Sequence, residues 1–187
     1  MEQSSDKDLG KKKMNEVKIY PVPFALGEIK TDITINKNTL AKSSKEEEII
    51  NKAFTFHSQG NISKAAKYYQ FFISQGFKDY RVLSNYGVIL KNLGKSQEAE
   101  LSMRKAIEIK PNFADAHYNL GNILKDLGKS QEAELSYRKA ININPDFAEG
   151  HLNLGNILKD LGKLKDAELS YRKAININPD FAEGHLN

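Results

Sequence analysis

Apolar and small residues recur along this chain with two nested periods. In 114–147, His117, Leu120, Gly121 and Leu124 fall at i, i+3, i+4 and i+7, which is one face of a first helix. Gly128 then supplies a residue able to adopt the left-handed backbone that ends a helix. Glu132 to Ile143 predicts a second helix, with Ala133, Tyr137 and Ala140 at i, i+4 and i+7. Pro145 prevents its continuation. The outer period is 34 residues, carried by Gly87, Gly121 and Gly155, by Ala99, Ala133 and Ala167, and by Pro111, Pro145 and Pro179. With Tyr80, Ala114 and Ala148 as position 1, the units are 46–79, 80–113, 114–147 and 148–181. The 187 residues are then a leader (1–45), four units, and residues 182–187 opening a fifth.

The small residues state the packing logic. Glycine inside a helix costs about 1 kcal/mol relative to alanine, yet Gly87, Gly121 and Gly155 sit in mid-helix. A neighbouring helix must therefore approach too closely for a Cβ. One such helix pair cannot bury its apolar face alone, so the pairs must stack. The expected fold is all-α, an α-solenoid of stacked antiparallel helix pairs.

The pattern resembles the tetratricopeptide repeat (TPR) family. That family's small residues at positions 8, 20 and 27 and its proline at 32 stand here as Gly121, Ala133, Ala140 and Pro145. Its large residues at 7, 11 and 24 stand as Leu120, Leu124 and Tyr137. The resemblance covers 46–187 and implies a superhelix whose concave groove binds a protein or peptide segment. Near-identical copies also resemble the arrays that precede catalytic domains in bacterial glycosyltransferases and sulfotransferases. On that alternative, the chain recruits substrates or partners for chemistry performed beyond residue 187. The interrupted fifth unit is read as a truncated chain, against a natural end that frays or self-associates.

The first unit departs from the rest. Lys52 replaces the large residue of position 7, Phe72 replaces a small one, and Gly76 takes over the helix-ending role. A terminal unit with a soluble outer side fits these changes. Ser44 and Glu47 have capping-box spacing and would open its first helix. Units 114–147 and 148–181 agree at 28 of 34 positions, so residues recurring in both are not independent evidence of use.

On the first helices, positions 2, 5, 6, 9, 12 and 13 share the side that lines the groove in the family. Position 6 offers Asn85, Asn119 and Asn153, and position 9 adds Asn122 and Asn156. Asparagine is a poor helix former, and its amide carries both donors and an acceptor. A row of amides suits the backbone of an extended peptide whatever its sequence, and a similar row resembles that in O-linked N-acetylglucosamine transferases. The bland alternative is a solvated face copied by duplication. Lys91, Lys125 and Lys159 at position 12 would attract an acidic partner, with Asp126 and Asp160 beside them offsetting the charge. Positions 2 and 5 vary most, and Tyr118 is the aromatic among them.

Other chemistry is weakly represented. His117, His151 and His185 recur at position 4, but successive packed helices lie about 8–10 Å apart, so a packing role is expected and no metal. Gly94-Lys95-Ser96 and Gly128-Lys129-Ser130 imitate the end of a phosphate loop, but the required first glycine falls at Ile89 and Ile123. The chain has no cysteine, which removes disulfides, thiolate metal sites and a cysteine nucleophile. No catalytic constellation is found, so neither enzyme activity nor a cofactor is expected. The absence of a secretory layout at the amino terminus and of a long apolar run points to a cytoplasmic protein without membrane insertion.

Charge sharpens the picture. The net +4 divides into nine lysines against six acids in 1–45, leaving 19 against 18 for the array. The basicity belongs to the leader, so a nucleic-acid groove, which needs clustered positive charge, is not expected. The leader reads as disordered apart from Ile19 to Ile29, an apolar stretch stiffened by Pro21 and Pro23.

Overall fold

A computed structural model describes residues 37–183 and, for side chains, 45–181. The segment Ile19 to Ile29, His185 and the last residues of the fifth unit lie outside these. The described residues form helices and no strand: α1 (Lys37–Ser58), α2 (Ile62–Ser74), α3 (Tyr80–Asn92), α4 (Ser96–Ile109), α5 (Ala114–Asp126), α6 (Ser130–Ile143), α7 (Ala148–Asp160), α8 (Leu164–Ile177) and a single turn, α9 (Asp180–Glu183). Each long helix packs chiefly on the helices before and after it in the chain.

The turn inside each pair is set by one glycine. Gly60, Gly94, Gly128 and Gly162 all have φ between 72° and 76°, a conformation that side chains disfavour. Around Gly128, its own N–H bonds Lys125 O at 3.0 Å and the next N–H, of Lys129, bonds Leu124 O at 2.8 Å. That pair of bonds satisfies helix-end carbonyls in the Schellman arrangement. Lys95 N to Leu90 O and Lys163 N to Leu158 O repeat it at 2.9 and 2.8 Å. The helix starts differ. Asp79 caps α3 by accepting from the N–H groups of Arg81 and Val82 at 2.7 and 3.3 Å. At α5 and α7 the capping position is Phe113 and Phe147, and neither makes a side-chain cap bond.

The mid-helix glycines face large side chains of the paired helix. A Cβ on Gly121 would stand 2.6 Å from Tyr137 Cε1, and one on Gly155 would stand 2.5 Å from Tyr171 Cε1. At Gly87 the nearest atom is the flexible end of Met103, at 3.1 Å. Alanines 99, 106, 133, 140 and 174 are fully buried on the second helices. The core is thus a continuous seam between successive helices.

The first unit corrects one expectation. Ser44 does not open a helix, because α1 is already formed from Lys37 onward. Residues 37–43 contain neither glycine nor proline, so nothing there stops a helix from extending toward the amino terminus. The boundary between leader and array, read at 45/46, therefore falls inside α1. Lys52 is exposed and pairs with Glu48, while Phe72 is buried against Phe77 with ring centroids 5.2 Å apart. Gly76, at φ 77°, follows the end of α2.

Candidate functional site

The asparagines singled out above lie on α3, α5 and α7, the first helices of their units, and the structure separates them into three kinds. The first kind is bound into the protein. Tyr137 Oη donates to Asn122 Oδ1 at 2.9 Å, and Asn153 Nδ2 donates to the same oxygen at 3.1 Å. Asn153 Nδ2 also reaches Tyr118 Oη at 3.0 Å. Asn156 Nδ2 makes a long contact, 3.5 Å, with Asn153 Oδ1, and Tyr171 Oη donates to Asn156 Oδ1 at 2.9 Å. One hydrogen-bonded chain therefore runs across the last two full units. Burial raises the Tyr137 and Tyr118 phenols above their ordinary range, so both stay protonated and able to donate.

Asn85 is the second kind. It is buried, at 6% exposure, and its Nδ2 donates to Tyr69 Oη at 3.3 Å. The same hydroxyl lies 2.8 Å from His57 Nδ1. Desolvation lowers the His57 pKa, so the ring is neutral and accepts the phenolic proton at Nδ1. Asn85 thereby closes the junction between α2 and α3. It is not an open amide of the groove, because the preceding unit carries a tyrosine where its side chain reaches.

Asn119 is the third kind. It is half-buried, and its amide has no hydrogen-bond partner among the described residues. The cause is visible one unit earlier. Asn153 bonds Asn122 and Tyr118 of its preceding unit, at positions 9 and 5. For Asn119 those positions hold Val88 and Ser84, and Ser84 is itself buried at 2% exposure. Asn122 is engaged on both sides: its oxygen accepts from Tyr137 and Asn153, and its amide lies against the Tyr118 hydroxyl.

Lysine behaviour is equally uneven. Lys91 Nζ lies 3.3 Å from Asp126 Oδ2 on the next unit, which offsets its charge. Lys125 and Lys159 are exposed and form no ion pair among the described residues. Tyr118 is half-buried, packed at a tilt on Phe147 with ring centroids 4.8 Å apart and 6.0 Å from Tyr137, so it forms wall as well as polar surface. His117 and His151 bond the carbonyls of Pro111 and Pro145, each at 2.9 Å through Nε2. Among the described residues no cluster of His, Asp or Glu could hold a metal ion, and no helix is long and apolar enough to cross a membrane.

Sequence reasoning missed the pairing of position 9 with position 24. Asn122 goes with Tyr137 and Asn156 with Tyr171, whereas Val88 goes with Met103. That co-occurrence is the signal that would have shown these asparagines serving their own unit.

Four family models for the tetratricopeptide repeat match at 80–113, 103–134, 121–162 and 148–181. Together they span 80–181, more than half of the 187 residues. The chain belongs to the tetratricopeptide repeat family. The matched models describe the TPR unit and nothing beyond it. No curated protein matches the sequence. Among solved structures, MamA is similar at 22% identity and a TM-score of 0.68, over 79% of this chain and 86% of that one. YrrB, a TPR protein with an unusual peptide-binding site, gives 18% identity and a TM-score of 0.65 over 76% and 83%. A TPR protein from Parabacteroides merdae ATCC 43184 gives 24% and 0.65 over 73% and 54%. At these identities the likeness concerns the TPR fold.

Proposed function

We propose that this TPR array binds an extended peptide or protein segment along the side formed by its first helices, with α5 as the contact centre. The observation that carries the reading is the amide of Asn119, half-buried on α5 and without a hydrogen-bond partner among the described residues. Among the described residues no buried side-chain polar atom lacks a partner, so this amide faces solvent, and its donors and acceptor are open to a peptide group. Asn153 and Asn156, held by Tyr118 and Tyr171, fix the surface rather than grip the ligand. Lys125 and Lys159 flank it and favour acidic residues in the bound segment. The peptide-binding site of YrrB, on a similar fold, supports the same reading.

Selection of a random displayed-peptide library on the full chain supplies a ligand, and calorimetry then compares variants. Asn119→Ala should weaken the selected peptide roughly two- to tenfold, about one ordinary hydrogen bond. Unfolding midpoints measured alongside separate lost contact from lost fold. Selected peptides that bind Asn119→Ala as tightly as the parent would remove α5 from the site.

A further inference from the structure

The opposite side of the array repeats a feature that peptide capture by the first helices does not use. The second helices carry a leucine at the same place in three successive units, and Leu101, Leu135 and Leu169 are 57%, 67% and 67% exposed. Four residues on, hence on the same face, stand the exposed Lys105, Lys139 and Lys173. Between these helices open two clefts of about 370 and 330 Å³. The first lies between α4 and α6, floored by Ile107, Leu120 and His117 and walled by Leu135. The second is its copy one unit later, between α6 and α8, with Ile141, Pro145 and His151 at its base.

The rims differ in charge, and the difference points to a ligand. At the first cleft, Arg104 is held by two carboxylates, Glu100 at 2.8 Å and Glu132 at 2.7 Å, and Glu108 joins the lining. At the second, Arg138 meets only Glu134, at 2.9 Å, and Asn142 stands where Glu108 stood. Glu100 and Glu134 are each shared with a lysine of the next unit, Lys129 at 2.8 Å and Lys163 at 2.6 Å, so the difference lies in Glu132 and Glu108. Neither Lys139 nor Lys173 has an ion pair among the described residues. The second cleft thus joins an apolar base to two cations and no carboxylate in its lining.

We infer that the outer clefts form a second docking surface, strongest between α6 and α8, for an acidic protein segment that carries leucine-like side chains. An apolar side chain of the partner fills the cleft over Ile141 and Pro145, and its carboxylates meet Lys173, Arg138 and Lys139. The leucine row supplies apolar contact from one cleft to the next. Charge complementarity of this kind sets partner choice and encounter rate.

The test uses the full chain, methyl-labelled for NMR, and a synthetic peptide of alternating Glu-Glu-Leu blocks, with a Lys-Lys-Leu peptide as control. The acidic peptide should shift the methyl signals of Leu135, Ile141 and Leu169 and leave the amides of Asn119 and Asn122 unmoved. Lys139→Glu with Lys173→Glu should weaken it by about tenfold, and Asn119→Ala should change nothing. All the substituted lysines are exposed, so unfolding midpoints should match. Equal binding of the lysine peptide, shifts confined to α5, or binding to phosphatidylserine vesicles in place of the peptide would each overturn the inference. Loss of the groove ligand on Asn119→Ala with the acidic peptide still bound identifies two separate surfaces.

Discussion

Two junctions in this array use the same positions with opposite chemistry. Where α5 meets the unit before it, Val88 and Met103 are apolar, Met103 is fully buried, and Asn119 is left without a partner. Where α7 meets the unit before it, Asn122, Tyr137 and Tyr118 form a polar shelf that engages Asn153. Helix lengths are the same in both units. Three substitutions, at positions 5, 9 and 24, decide whether the asparagine of the following unit is structural or available. In a repeat fold, the function of a residue is set by the unit before it as much as by its own place.

The largest expected effect tests the tight approach on which the polar junction rests. Gly121→Ala places a methyl against the fully buried ring of Tyr137, and urea unfolding should show a loss of about 1–3 kcal/mol. Gly87→Ala meets only the end of Met103, and its helix-propensity gain of up to about 1 kcal/mol should bring the change close to zero. Equal losses at the two sites would mean that the junctions do not differ in closeness of packing.

A smaller effect sharpens the contrast by converting one junction into the other. Tyr137→Met with Asn122→Val gives the third unit the apolar pair of the second. Stability should fall by about 1–2 kcal/mol, because Asn153 keeps only its bond to Tyr118. Asn153 then becomes a partly released amide like Asn119. Affinity for a groove peptide selected on the parent chain should hold or rise, read by calorimetry, and a fall would show that the tyrosine–asparagine network contributes directly to binding.

The smallest effect concerns the first junction. Burial lowers the His57 pKa below that of the unfolded chain. The unfolded state therefore takes up the proton first as pH falls, so stability is full above about pH 6.5 and declines below it. The loss by pH 6 is less than about 1 kcal/mol. Glu48, lowered by Lys52, titrates well below this window. In His57→Gln, the dependence of the urea midpoint on pH between 7 and 6 should flatten, and a slope unchanged from the parent would assign it to another group.

Legibility in the sequence followed how often a signal was repeated. The helices of the last three units were readable because glycine and proline punctuate them three times over, with a fixed conformational need at each glycine. The start of α1 was not readable, since Ser44 and Glu47 imitate a cap while residues 37–43 offer nothing to end a helix. The candidate site was readable only as a set. Asn85, Asn119 and Asn153 share position 6, and nothing in that position distinguishes them. Tyr69, Met103 and Tyr137, each 16 residues before its asparagine, make one buried, one open and one networked. Such a relation joins two units and is invisible while each is read by itself.

The left-handed glycines have a consequence for how this protein acquires length. Because Gly94, Gly128 and Gly162 turn the chain through the same hydrogen bonds, a new unit arrives with its own corner already made. The unit 114–147 carries Asn122, Tyr118 and Tyr137 for whatever follows it, and Asn119 for whatever precedes it. Placed behind another copy of itself, it meets its own complement. Duplication of this segment would thus lengthen the array without a compensating change elsewhere, each added copy converting an open amide into a closed one. Growth of this kind follows a grammar, in which a unit specifies its successor before the successor exists.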